Sequence, residues 1–237
     1  MDLGLEGKRA IVTGGSRGIG RCCARALARE GTRVCIAART QDALNQVLGE
    51  IDELDGEGFA VAVDLNSQKN CQKVVRETVE TFGGVDILVN NVGAAKNADI
   101  LDLSTKQIDD ALRLKSYSYL RMSQLVIPYM KENQWGRIIN IAGGAGTSPS
   151  RRNMPTGTAN ITILNMTRAL SDAVSSDGIL VNTICPGLTN TFRAREQQHA
   201  RAIRENRDVE ELLWDLGREL PAGRMAEPEE IANVLAF

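Results

Sequence analysis

The stretch Arg9-Ala10-Ile11-Val12-Thr13-Gly14-Gly15-Ser16-Arg17-Gly18-Ile19-Gly20 decides the fold of this 237-residue chain. Arg9–Thr13 is short, apolar at its centre and bounded by glycine, the signature of a buried strand. A glycine-rich turn follows at once, and Ile19–Glu30 then carries helical apolar spacing that stops at Gly31. Strand, glycine turn and helix in that order form a cradle for a dinucleotide phosphate. Gly14 permits the tight turn, Gly18 lets backbone approach a pyrophosphate, and Gly20 allows the helix to pack closely on the sheet. Ser16, Arg17 and Ile19 complete the loop. The helix presents free N–H groups and its positive dipole end to the anion.

Outward from this unit, strands and helices alternate. Strands are expected at Arg33–Ala38, Phe59–Val63, Ile87–Asn90, Arg137–Ile141 and Leu180–Ile184. Helices are expected at Gln41–Leu54, Lys69–Phe82, about 105–132 and 156–175. This alternation implies an α/β fold, a doubly wound parallel sheet with helices on both faces. No repeat, low-complexity run or linker divides residues 1–237, so a single Rossmann domain is expected. Residues 188–222 are helix-prone and charged with no strand, which suggests a small helical lid over the carboxyl ends of the strands.

Composition narrows the function classes. Hydrophobic content is 43% and the formal charge is -2, which offers no field for nucleic acid or an anionic membrane. The N-terminal residues lack a basic region followed by an apolar run, and no apolar stretch is long enough to span a bilayer. Cys22, Cys23, Cys35, Cys71 and Cys185 form no C-x-x-C pair and read as reduced core residues, which favours the cytoplasm. His199 is the one histidine and lacks partners for a metal site, so no metal is expected.

Three motifs in order, the glycine-rich turn, Asn90-Asn91-Val92-Gly93 and Pro186-Gly187-Leu188-Thr189-Asn190-Thr191, resemble the short-chain dehydrogenase/reductase family. The resemblance covers essentially the whole chain. It implies a nicotinamide cofactor, a small-molecule substrate and a homodimer or homotetramer built on the helices at 105–132 and 156–175. It further implies that Asp64 and Leu65 contact the adenine region and that Asn90 and Gly93 line the cofactor. Pro186, Gly187, Leu188 and Thr191 would meet the nicotinamide end. Pro221–Ala232 resembles the segment before the family's last helix, and a seventh strand that follows in the family is expected to be missing here.

The second strand ends Ala37-Ala38-Arg39-Thr40, where a protein preferring NAD usually places an acid for the ribose hydroxyls. Arg39, with Arg17 alongside, suits a 2′-phosphate instead, so NADP is expected over NAD. Two solvated arginines are the alternative.

The family's catalytic set is asparagine, serine and the pair Tyr-x-x-x-Lys. Counting from flanking motifs, the matching positions here are Lys115, Gly143, Thr156 and Asn160. A threonine hydroxyl is too weak an acid to replace a phenol, and no tyrosine follows Tyr129. Lys115 is expected on a helix facing the catalytic centre, where burial would lower its pKa and make it a proton donor or relay; a lysine on a solvated or interface face is the alternative. Tyr119 lies on the same face but deeper, and Tyr117 points elsewhere. Arg151, Arg152 and Met154 are expected in the loop bordering the substrate, where the arginines either bind a carboxylate or phosphate or stand exposed without such a role. The leading reading is an NADP-dependent oxidoreductase acting on a carbonyl or alcohol with a non-standard proton donor. A non-catalytic NADP-binding sensor or oligomer partner, and a lyase or isomerase reusing the pocket, are its rivals.

Overall fold

The computed structural model describes residues 2–93, 98–151 and 153–237. Six strands form one sheet: β1 (Arg9–Thr13), β2 (Arg33–Ala38), β3 (Gly58–Ala62), β4 (Ile87–Asn90), β5 (Gly136–Ile141) and β6 (Ile179–Ile184). All neighbours pair in parallel, in the order β3-β2-β1-β4-β5-β6. Successive strand residues face opposite sides. Val12, Ile36 and Val89 therefore enter one core, and Ile11, Cys35 and Leu88 the other.

The first core is closed by α1 (Gly18–Arg29), α2 (Gln41–Asp52) and α9 (Pro228–Ala236) through Leu27, Leu44 and Leu235. The second is closed by α3 (Gln68–Phe82) and α5 (Ser118–Glu132) through Val74, Met122 and Val126. Gly83 ends α3 in the left-handed region at φ 82°. Strand order reverses direction between β1 and β4, and a doubly wound sheet opens a crevice at that switch point, outside the carboxyl ends of its strands.

The helix expected over about 105–132 is interrupted. It begins as α4 (Thr105–Ala111), widens into a π-helical turn at Leu112–Tyr117 and resumes as α5. Side-chain hydroxyls stabilise the irregular turn. Ser118 Oγ donates to the carbonyls of Leu114 at 2.6 Å and Lys115 at 3.1 Å. Ser116 Oγ donates to the Ala159 carbonyl at 3.1 Å, tying the turn to α6 (Met154–Val174). Such turns concentrate at functional sites, and this one carries Lys115.

The expected lid consists of α7 (Phe192–Glu205) and α8 (Val209–Arg218). Thr191 caps α7 by accepting from Ala194 N at 3.2 Å, and Asp208 caps α8 by accepting from Glu210 N at 2.7 Å. Ala194, Leu213 and Met225 form a separate small core that holds the lid together. Among the described residues no helix is long and apolar enough to cross a membrane.

One cysteine departs from expectation. Cys22, Cys23, Cys35 and Cys71 are buried, but Cys185 is exposed, because it follows the last residue of β6 where the sheet gives way to the crevice.

Candidate active site

Two adjoining clefts open at the carboxyl ends of the strands. The first, about 400 Å³, is lined by Gly14, Ser16, Arg17, Gly18, Arg39, Asp64 and Leu65. The second, about 460 Å³, is lined by Lys115, Gly143, Thr156, Asn160, Pro186, Gly187 and Leu188. Ile19, Asn91, Gly93, Thr191 and Arg193 line both and mark their junction. The sequence-predicted cofactor residues and the four catalytic positions are thus brought to one continuous crevice, with two exceptions.

Gly20 lies beneath the loop, where a side chain would run into the Gly14 carbonyl and the Asn91 amide. That agrees with a packing role. Asn90, expected to line the cofactor, lines neither cleft. It is wholly buried in the sheet and donates to Asn140 Oδ1 at 2.9 Å. Asn140 in turn donates to Thr167 Oγ1 at 2.9 Å. Its neighbour Asn91 faces the crevice instead and donates to the Gly14 carbonyl at 3.2 Å.

The first cleft suits an extended phosphate-bearing group. Arg17 caps the N-terminus of α1 without a side-chain hydrogen bond, which leaves the first N–H groups of the helix directed at the loop. Arg17 stacks on the lid residue Phe192 at 4.9 Å from the ring centre. Arg39 is exposed at the cleft wall. The residue that caps α7 reaches the loop directly: a Cβ on Gly18 would stand 3.4 Å from the Thr191 methyl.

The second cleft is organised around Lys115. Its Nζ donates to Asn160 Oδ1 at 2.6 Å and to the Ala142 carbonyl. Asn160 Nδ2 donates to the Gly143 carbonyl at 3.2 Å. Burial of the amine, with a smaller contribution from the nearby Arg193 guanidinium and an opposing one from Cys185, pushes the Lys115 pKa down to about 8. The side chain as a whole keeps partial access through the cleft. An amine with that pKa is mostly protonated at neutral pH and still able to release its proton.

Tyr119 is excluded from the same role. It is 1% exposed, its hydroxyl donates to the Ile141 carbonyl at 3.0 Å, and burial holds its phenol well above the ordinary range. Tyr117 is 45% exposed on the outer face of the π turn. Arg151, expected beside the substrate, lines neither cleft; it is exposed and pairs with Asp99 at 3.3 Å, and Arg152 lies outside the described residues. Met154 is the first residue of α6.

Arg193 is the residue sequence reasoning missed. It donates to the Gly93 carbonyl at 3.4 Å and spans both clefts. Its position two residues after Thr191, at the opening of the lid, was the available signal.

A family model described as short chain dehydrogenase matches residues 8–202. The chain is 31% identical over 235 residues to a 3-oxoacyl-[acyl-carrier-protein] reductase of Vibrio cholerae, covering 99% of this chain and 91% of that protein. It superposes on L-sorbose reductase from Gluconobacter frateurii, solved with NADPH and L-sorbose, with a TM-score of 0.96 and 29% identity. That alignment covers 100% of this chain and 91% of the reductase. An NAD+-bound xylitol dehydrogenase aligns with a TM-score of 0.91 and 26% identity, over 98% and 92% of the two chains. Sequence, sheet order and crevice agree, and the chain belongs to the short-chain dehydrogenase family.

Proposed function

We propose that this protein is an NADP-dependent oxidoreductase that interconverts a carbonyl and an alcohol, with Lys115 as the proton donor. The observation that carries the reading is the Lys115 amine, buried in the second cleft, hydrogen-bonded to Asn160 and shifted toward neutrality. Proton transfer at a reacting oxygen needs a donor whose pKa lies near the working pH.

The cofactor site is assigned residue by residue. Gly14, Ser16, Gly18 and Ile19, with the α1 N-terminus, hold the pyrophosphate. Arg39 and Arg17 hold a 2′-phosphate through charge-assisted bonds. Asp64 and Leu65 border the adenine. Gly93, Pro186, Gly187, Leu188 and Thr191 bound the nicotinamide end, and Asn160 faces its ribose. The bound NADPH of sorbose reductase and the bound NAD+ of xylitol dehydrogenase both support a nicotinamide cofactor, and the preference for NADP rests on Arg39 and Arg17.

When bound, the nicotinamide supplies the hydride. The chain's own residues handle the proton. Lys115 Nζ gives it to the substrate oxygen during reduction and takes it back during oxidation. Thr156 and Gly143 supply no acid and no hydroxyl at the family's positions, so orientation of the carbonyl falls to Lys115 and the cleft walls.

A second reading, a non-catalytic NADP-binding protein, is favoured by those same two replacements. Titration with NADPH and NADH followed by turnover against a panel of ketones and aldehydes separates the two. Tighter binding of NADPH with measurable turnover is expected. NADPH binding with no turnover across the panel would favour the second reading.

A further inference from the structure

Asn160 is 1% exposed, and both ends of its amide are used. An ammonium only donates, so the end facing Lys115 must be the oxygen. That leaves the Nδ2 end to donate to the Gly143 carbonyl at 3.2 Å. The flipped amide would satisfy neither neighbour, so the orientation is fixed by chemistry.

Room for this amide comes from two glycines. A Cβ on Gly143 would stand 3.0 Å from Asn160 Nδ2, and a Cβ on Gly146 would stand 3.0 Å from Asn160 Cβ. Both distances lie inside ordinary van der Waals separation. Gly143 also has φ +123°, a conformation that side chains resist. A serine at 143 would therefore strain the backbone and push the Asn160 amide by a few tenths of an ångström from its present placement.

Lys115 has three donors. Two go to Ala142 and Asn160, both set by the ends of β5 and by α6. Fixing two directions of a tetrahedral ammonium fixes the third. The charged and titratable groups that act on the amine are Arg193 from α7 and Cys185 from beyond β6. Among the described residues no Asp or Glu lines the second cleft. The acceptor on Lys115 is thus neutral, and it holds the ammonium without trapping its proton as a carboxylate would.

We infer that Asn160 is a positioning residue: it aims the remaining N–H of Lys115 into the cleft, and Gly143 and Gly146 are its structural counterparts that let the amide lie where it does. Lys115, Gly143 and Asn160 are then one coupled unit rather than three separate losses. The inference rests on the proton-donor reading for its catalytic meaning, but its test reads Lys115 ionisation directly and needs no turnover.

The test is the pH dependence of Lys115 acetylation by trace acetic anhydride in the full chain, followed by peptide mass spectrometry. In the wild type the half-point is expected near pH 8, as burial sets it. Asn160→Asp should raise the half-point by about one unit or more, the effect of an opposite charge within hydrogen-bond reach. Asn160→Leu should lower it and increase labelling at pH 7, because the charged amine loses an acceptor. A purely structural asparagine would change melting temperature but leave the half-point in place. An unchanged half-point in Asn160→Leu would overturn the inference, and if that variant does not fold, the smaller Asn160→Ala, which also removes the acceptor, decides in its place. Loss of the proton-donor reading would show separately, as full turnover in Lys115→Met.

Discussion

At the scale of single residues, Arg39 carries the proposed preference for NADP. An arginine stands where an acid would meet ribose hydroxyls, and the structure puts it on the wall of the first cleft. Arg39→Ala is expected to weaken NADPH binding about 10-fold, the scale of one charge-assisted hydrogen bond. NADH binding should hardly change. Calorimetric titration of both cofactors checks this, and an equal loss for the two would contradict the assignment. Lys115 was equally legible, because counting from Ile127-Pro128 places it opposite Asn160 and the structure finds the two in contact. Asn90 was misplaced for a physical reason. Adjacent residues at a strand end face opposite sides, so only one of the Asn90-Asn91 pair enters the crevice, and sequence gives no sign of which. Arg193 is hard to single out because it lies in an arginine-rich helix in which Arg195, Arg201 and Arg204 pair with acids. Cys185 was assigned to the core from residue type alone, and only the end of β6 reveals its exposure.

At the scale of elements, strands were more legible than the helix that matters most. β1, β2 and β4 fall where their apolar runs predict, because each is buried on both faces and bounded by turn or cap residues. The π turn at Leu112–Tyr117 was invisible to a 3.6-residue period. Its support comes from hydroxyl bonds of Ser116 and Ser118, one of them to a distant helix. That turn and α6 together position the Lys115–Asn160 pair, which makes reversion to the family's residues an element-level problem. The double variant Thr156→Tyr, Asn160→Lys is expected to remain at least about 100-fold below a rate gained by full general acid–base help. A lysine at 160 would put a second ammonium within hydrogen-bond distance of Lys115, and like charges disfavour each other. Gly143 would still lack a hydroxyl. Steady-state turnover is the measurement, and a rate equal to that of relatives with the complete set would refute the argument from charge.

At the scale of the molecule, strand order and crevice follow from alternation and a glycine-rich turn, which is why the fold is legible in the sequence while the surroundings of Lys115 are not. The expected self-association belongs here too. The π turn and α6 leave Tyr117, Met154 and Ile161 exposed at 45%, 39% and 48%. An apolar surface of this kind favours pairing with a second copy. Light scattering should find a dimer or tetramer at micromolar concentration, and a monomer would count against it. The central claim, Lys115 as proton donor, fixes a pH dependence with a definite sign. Reduction of a carbonyl uses the protonated amine, whose pKa is lowered to about 8. Activity should therefore be full well below that pH and fall as pH rises through it, while alcohol oxidation, which uses the neutral amine, should rise through the same point. The decisive measurement is the pH profile of kcat for carbonyl reduction in wild type and Lys115→Met. The variant should lose about 100-fold or more, with NADPH affinity nearly unchanged and the fall near pH 8 abolished; wild-type kcat with the same fall near pH 8 in Lys115→Met would contradict the account.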